Sequence, residues 1–546
     1  MAQSKKTFVQ EIRNNIYELL ELENDFEFSL EEPPQNFNAD LSTNVVLLLA
    51  KKEKTNPKTL SEGIIKKLEK APYFSKIEFV PPGFLNFHIS KELLESELEK
   101  VLAQGDKYPE IDLYDGNPVL IDFVSSNPTG PLHIGHGRGA VIGDALARIY
   151  TQLGFKILKE YYVNDVGVQM NFLAQSVELQ AKIIKSEDVS SISTEKLYKG
   201  TYIAEIAKKL LEEYRDKIPE ISVIKEFAVT EILKDIRSDL AEFKVEFDSW
   251  QYESELHNKG IVKKVVEGLH KDGFLFEKDS ALWFKTEDSI DEKDRVIQKQ
   301  DGRYTYFGAD IAYHWYKFER GYKKLLNIWG CDHHGYVPRI KSAMLSIGHK
   351  PEDVEVLLYQ LVSLSRNGER VRMSTRAGEF VTLREVREEI GTDAARYFLS
   401  TKTPGTHLEF DLELAKKKAN ENPIFYIQYA HTRCCGILRE AEKTQSISAV
   451  SKIDYSLLKE NLEHQIIKKI TLYPDVLHRC IKNLSPHYLA TYLLDFAGLF
   501  HRYYDTHRVV TQDPEQTRAR IALIKSIKIT LKNGLSLLAI TAPEKM

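Results

Sequence analysis

The sequence predicts a doubly wound parallel α/β sheet at its centre, an α+β segment before it and an all-α bundle after it. Three observations carry this expectation. A strand, a glycine-rich loop, a helix and a second strand follow in order over residues 119–163. Two later apolar runs, 325–329 and 356–362, supply further strands. From Leu383 onward the pattern is helical, with no convincing strand.

Residues 1–115 read as helix and then a strand-rich stretch. The turn Pro81-Pro82-Gly83 leads into Phe84-Leu85-Asn86-Phe87, whose alternation suits a strand leaving a turn. Residues 105–116 are polar and turn-rich, as in a linker. The second region, 116–382, opens with the β-rich run 119–124, consistent with a buried parallel strand. After a Pro/Gly/His loop, Ile142, Leu146, Ile149 and Leu153 repeat on one helix face. Gly154 then stands where a helix-ending glycine belongs. Residues 155–163 give the next strand, so strand–loop–helix–strand begins a doubly wound sheet. Residues 170–282 read as a helical insertion rich in lysine and glutamate, and 366–380 as an arginine-rich loop. Residues 383–546 form the helical region, where Lys525, Lys528 and Lys532 share a face.

The chain has 546 residues, enough for two to four domains. Its 42% hydrophobic and 28% charged residues fit an ordinary soluble protein rather than a disordered or membrane one. No apolar run is long enough to span a bilayer, and no apolar stretch follows the first lysines as in a secretory signal. The four cysteines form no C-x-x-C pair, so reduced thiols in a cytoplasmic protein are expected rather than a zinc knuckle or disulfides. A net charge of −5 weighs mildly against a nucleic-acid binder, but local basic stripes decide that question.

The strongest chemical signal is the segment from Asn127 through His133, Gly135 and His136 to Gly139, between a strand and a helix. There, backbone N–H groups and the positive helix end face the edge where doubly wound sheets bind nucleotides. Glycines let a phosphate approach, and two histidines three apart can donate to its oxygens as charge builds. The bland reading is a glycine-rich loop with an incidental histidine pair. A metal is not expected, since no third ligand is near.

His133-Ile134-Gly135-His136 resembles the H-I-G-H motif of class I aminoacyl-tRNA synthetases. Ser125-Ser126-Asn127-Pro128-Thr129-Gly130-Pro131-Leu132 before it, and Gly137-Arg138-Gly139-Ala140 after it, are similar to the bacterial form of the arginyl-tRNA synthetase family. So are Tyr162 to Gln169, Tyr304 to Tyr313, the string Gly330-Cys331-Asp332-His333-His334-Gly335-Tyr336, and Asn422 to Arg433. Arg372-Met373-Ser374-Thr375-Arg376 resembles the K-M-S-K loop. The matches run the length of the chain in order.

The resemblance implies a class I catalytic domain of Rossmann type, an N-terminal domain that binds the tRNA elbow, and an α-helical anticodon-binding domain. It implies ligation of L-arginine to tRNA(Arg) with ATP and its accompanying Mg2+, by a cytoplasmic monomer with no structural metal and no editing domain. His133, His136, Arg372, Ser374 and Arg376 would be catalytic. Gly135, Asp332, His333 and Met373 would join the two histidines around ATP. Asp122, Asn127, Tyr306, Asp310 and Gln169 would line the arginine pocket, because a planar cationic fork calls for carboxylates. Asn86 would read the tRNA D-loop, and Tyr426, Tyr429, His431 and Arg433 the anticodon. Two departures stand out. Asp122 replaces the family's usual glutamate, so a water would bridge it to substrate or, failing that, another partner must satisfy it. The K-M-S-K lysines become Arg372 and Thr375, and the position where some relatives carry a substitute lysine is Gly130. The rival readings are a catalytically inactive tRNA-binding relative and a small-molecule nucleotidyltransferase.

Overall fold

The structure is a computed structural model that describes residues 6–34, 37–286, 290–291, 293–371, 381–443 and 453–546. The N-terminal region holds a four-stranded antiparallel sheet in the order Leu30–Glu31, Leu41–Thr43, Phe84–Ile89, Phe74–Val80. Leu85 and Phe87 turn into its core, as the alternation requires. Asn86 points the other way, to the floor of a concave face, and is only 6% exposed.

Five parallel strands form the central sheet: β1 (Val119–Phe123), β2 (Ile157–Val163), β3 (Ser249–Tyr252), β4 (Lys324–Gly330) and β5 (Val354–Tyr359). Their spatial order is β5-β4-β1-β2-β3, the doubly wound arrangement, which reverses direction between β1 and β4. Every residue of β1 is buried, which explains its unbroken apolar reading apart from Asp122. Helix α1 (Ile134–Gln152) lies on this sheet at close range. A Cβ at Gly143 would sit 2.3 Å from the Phe123 ring, and one at Gly139 2.9 Å from the Tyr359 ring. Those glycines let helix and sheet meet.

Three expectations are corrected here. The insertion is not helical throughout: helices Glu253–Asn258 and Ile261–Lys271 come only after strand β3, and the part before it is α2 (Val168–Ile184), α3 (Thr201–Glu213) and α4 (Ile221–Glu242). The chain then returns as β3 to the edge of the central sheet. Farther on it makes an antiparallel sheet of Leu275–Lys278, Ala281–Phe284 and Arg295–Gln298. A four-residue strand with serine and glutamine in it gives too short a pattern to stand out. The run at 356–362 is also two strands. β5 ends at Tyr359, and β6 (Val362–Arg366) begins after Gln360, whose carbonyl accepts from the buried Arg138 guanidinium at 2.7 Å. β6 pairs in parallel with β7 (Leu408–Asp411), a strand inside the region that reads as purely helical.

Helix α5 (Tyr306–Glu319) precedes β4 and carries most of the polar side chains beneath the sheet. The C-terminal region is built from α6 (Pro423–Lys443), α7 (Asn461–Thr471), α8 (Tyr473–Lys482), α9 (His487–Thr506) and α10 (Pro514–Leu537). It is continuous with the rest of the molecule. Arg396 pairs with Asp144 of α1 at 2.6 Å, both fully buried, and also donates to the carbonyls of Leu538 at 2.7 Å and Phe243 at 2.8 Å. The Tyr108 hydroxyl donates to the Ile470 carbonyl at 3.0 Å. Asp475 of α8 accepts from the Thr7 hydroxyl and, at 3.2 Å, from the Val9 N–H, capping the first helix of the chain. Of the lysine stripe, Lys528 pairs with Glu544 at 3.4 Å and Lys532 with Asp106 at 2.7 Å. No described helix is long and apolar enough to cross a membrane.

Candidate active site

The site lies where β1 and β4 end, at the point of reversal. β1 runs into Val124 and Ser125, both in left-handed backbone at φ 68° and 36°. That conformation is costly for a β-branched residue, so the surroundings must hold it. Ser125 is held by two bonds. Its hydroxyl donates to Asp122 Oδ1 at 2.6 Å and accepts from the Tyr162 N–H at 3.0 Å. The loop then climbs to His133, the N-cap of α1. Gly130 on the way leaves no room for a long side chain without a shift, since a Cβ there would meet the Tyr202 ring at 3.2 Å.

His133 and His136 cap the helix reciprocally. Nδ1 of each accepts the other's backbone N–H at 3.3 Å, and the rings stack at 3.6 Å. Burial pushes the His136 pKa down to about 3, with a smaller contribution from His133. Burial also lowers His133, partly opposed by the carboxylate of Asp332. Both rings are therefore neutral near pH 7, with the proton on Nε2. Each presents a donor N–H away from the helix axis. Gly135 has a reason within the fold: a Cβ there would lie 2.8 Å from the His133 ring. After β4, Cys331–Tyr336 form a short 3-10 helix on which Asp332 and His333 are exposed.

Segment 372–380, with Arg372, Met373, Ser374 and Arg376, lies outside the described residues. Its flanks are placed. Val371 N–H donates to the Leu364 carbonyl at 2.8 Å, the Val381 carbonyl accepts from Ile134 N–H at 3.3 Å, and Leu383 N–H donates to the Leu132 carbonyl at 2.8 Å. The chain is thus beside His133 again from Val381.

Asp310 and Tyr306 sit one turn apart on α5. Asp310 is nearly buried, while Tyr306 is 52% exposed at the rim. Asn127 Nδ2 donates to Gln169 Oε1 at 2.8 Å, joining two residues 42 apart. Tyr336 adds a wall that sequence reasoning missed. Its ring lies 5.9 Å from that of Tyr306, and its hydroxyl is buried beside the Asp310 carboxylate. Burial, and then the Asp310 carboxylate, push the pKa of that hydroxyl well above its usual value. Asp122 is different. Its oxygens are engaged by Lys317 at 2.7 Å, Ser125 at 2.6 Å and Tyr313 at 3.1 Å. It is a buried, internally paired aspartate, and Lys317 is the partner that satisfies it in place of a water to the substrate.

The residues expected to meet RNA divide. Asn86 lines a concavity with Phe37, Pro33, Pro34 and Phe84. Arg433 is sandwiched between Tyr429 and Tyr504, 4.5 Å from each ring, and its guanidinium reaches His501 at 3.1 Å. Tyr426 packs on the same His501 at 4.3 Å. His431 is a correction: it is 1% exposed and bonded to the Pro543 carbonyl at 2.9 Å, so it faces the interior rather than a base. Tyr504 is the exposed aromatic that the sequence reading passed over. Among the described residues, no group of three or more His, Cys, Asp or Glu is placed to hold a metal ion.

Three family models cover the chain: the arginyl tRNA synthetase N-terminal domain at 6–89, the tRNA synthetases class I (R) catalytic domain at 97–420, and the DALR anticodon binding domain at 427–546. The chain is 41% identical over 525 residues to the arginine–tRNA ligase of Anoxybacillus flavithermus, covering 95% of this chain and 94% of that one. It is 40% identical to that of Geobacillus thermodenitrificans over the full length of both. The arginyl-tRNA synthetase structure from Thermus thermophilus superimposes with a TM-score of 0.79 at 21% identity, over 99% of this chain and 100% of that one. At that identity the match speaks for the fold.

Proposed function

The chain belongs to the arginyl-tRNA synthetase family, and from that premise we propose which of its residues carry each part of the reaction. It is a class I enzyme that ligates arginine to tRNA at the cost of ATP. The arginine carboxylate attacks the α-phosphorus and pyrophosphate leaves. The terminal ribose hydroxyl of the tRNA then attacks the adenylate carbonyl and AMP leaves. Neither step calls for a protein nucleophile, so positioning and charge stabilisation dominate.

The Nε2–H groups of His133 and His136 donate to phosphate oxygens as they gain charge. Asp332 and His333 meet the adenosine. Mg2+ would accompany ATP and share the charge of its phosphates. Arg372 and Arg376, with Met373 and Ser374, neutralise the pyrophosphate from the segment that precedes Val381, whose carbonyl accepts from the N–H next to His133. Asp310 accepts the guanidinium fork, with Tyr306, Tyr336 and the Asn127–Gln169 pair around it. Asp122 acts one layer below, through Lys317. Tyr429, Arg433 and Tyr504 offer stacking surfaces to unpaired anticodon bases, and Asn86 offers its amide to the D-loop. The protein acts as a cytoplasmic monomer on tRNA(Arg).

The observation that supports this reading most is Asp310, a nearly buried carboxylate on the helix whose Tyr313 and Lys317 reach Asp122 near the end of β1. Arginylation kinetics of Asp310→Asn test it. KM for arginine rises steeply while the circular dichroism spectrum and KM for ATP stay put. Citrulline, which leaves the carboxylate unpaired, is rejected by roughly 10⁴-fold. A folded Asp310→Asn enzyme with the parent KM for arginine would overturn the pocket.

A further inference from the structure

Beneath Asp310 runs a chain of buried polar groups that the reaction as described does not use. Lys317, with no exposed side-chain surface, donates to Asn327 Oδ1 on β4 at 3.2 Å. Asn327 Nδ2 faces His314 Nε2 at 2.9 Å. His314 Nδ1 lies 2.9 Å from the Asp310 carbonyl and 3.2 Å from Asp310 Oδ1. His314 is 1% exposed and Asn327 is fully buried. All three lie under the arginine pocket, on the helix that carries Asp310 and on the adjoining strand.

The direction of this chain is not free. An ammonium only donates, so the Asn327 oxygen must face Lys317. The Asn327 NH₂ must then face His314, and His314 Nε2 must accept from it. The single proton of the neutral ring is left on Nδ1, aimed at Asp310. Were the chain reversed, a ring lone pair would oppose the carboxylate. Lys317 is held in turn by Asp122 at 2.7 Å and by the face of the Tyr313 ring at 4.0 Å. Asp122 therefore serves as the counter-ion of Lys317, and its shorter side chain leaves the ammonium room beside the sheet.

We propose that Lys317, Asn327 and His314 are positioning residues: through this one-way chain, Lys317 selects the His314 tautomer that orients the Asp310 carboxylate toward the substrate guanidinium. This rests on Asp310 being the guanidinium acceptor. A purely packing role would be met as well by apolar side chains, which carry no polarity to transmit.

Two measurements on the whole enzyme test it. In protein labelled with ¹⁵N-histidine, the His314 ring is identified by its loss in His314→Gln. Its nitrogen shifts are expected to show Nδ1 protonated and Nε2 bare, and a proton on Nε2 overturns the proposal in the parent enzyme alone. In kinetics, Asn327→Leu is expected to raise KM for arginine by on the order of 10- to 100-fold, the scale of one hydrogen bond to a charged group, with KM for ATP unchanged. Asn327→Ala removes the same donor to His314 with a smaller side chain and is expected to do the same should the leucine variant not fold. An unchanged KM for arginine, or equal losses for both substrates, overturns the proposal. With Asp310→Asn run alongside, a raised KM there and none at Asn327 sinks the network alone. The parent KM in Asp310→Asn sinks the pocket itself.

Discussion

The ammonium of Lys317 lies 2.7 Å from Oδ2 of Asp122, in a pair that is almost wholly removed from water. Attraction between such groups offsets a large desolvation cost, so removing one partner is far worse than removing both. Lys317→Met is expected to cost about 3–5 kcal/mol, because it strands a buried carboxylate. Adding Asp122→Leu should recover much of that loss. Thermal melting of the two single variants and the double decides it. Simple addition of the two losses would show that the pair is not coupled.

Asp122→Glu follows from the same geometry. The family resemblance alone suggests that glutamate would be welcome here. With Lys317, Tyr313 and Ser125 already closed around the shorter carboxylate, the extra methylene must push one of them aside. A loss of about 1–3 kcal/mol is expected, the usual scale of overpacking. Melting at or above the parent temperature would contradict this.

The histidine pair has two separable duties. Asparagine caps helices well, so His133→Asn should hold the start of α1 while losing the Nε2 donor. His133→Ala should lose both, with about 1 kcal/mol of stability. Adenylate formation is expected to fall in both variants and melting temperature only in the second. Equal melting of the two would remove the capping role from His133.

Asp475 makes docking of the first helix sensitive to pH. Burial pushes its pKa up to about 7, against the opposing bonds from Thr7 and Val9. A carboxyl raised in the folded state favours folding when protonated. Its contribution is complete below the ordinary value of about 4 and is lost as pH climbs through about 7. Asp475→Asn should therefore melt with the parent protein near the lower limit and above it at pH 8. A parent protein more stable than the variant at pH 8 would refute the sign.

Arg433 is held flat between two tyrosine rings, a geometry that also suits an inserted base. Arg433→Ala and Tyr504→Ala are each expected to lower kcat/KM for tRNA by roughly 10-fold, the scale of one stacked base. KM for arginine and ATP should not move. Parent kinetics with tRNA in both variants would place the anticodon elsewhere.

The sequence disclosed what repeats or concentrates. The strands at 119–123, 157–163 and 324–330 are apolar runs with turn signals, and the histidine loop gathers its chemistry into a few residues. Asp310 was found through motif order. Other features depend on contacts across the chain. β3 and β7 have four residues each and take their identity from the strands they join. His431 stands two residues from both Tyr429 and Arg433, so it falls on the opposite face of the helix, with the buried Ile427, Cys434 and Cys435, and its ring bonds the carbonyl of Pro543. Lys317 and Asn327 did leave a trace, a lysine and an asparagine inside apolar stretches, but their partners were not legible from either segment.

The pair formed by Asp144 and Arg396 gives the molecule a history in time. The two residues are 252 positions apart, so at 5–20 residues per second Asp144 waits roughly 10–50 s for its partner during synthesis. Arg148, one turn along α1 at 2.8 Å, can hold the carboxylate meanwhile. Arg396 has to wait again, for the carbonyl of Leu538, 142 residues further on. The helix that presents the histidines is thus among the first catalytic elements to be made and among the last to be locked in place. A nascent chain halted between these points carries the nucleotide loop on an unfinished foundation.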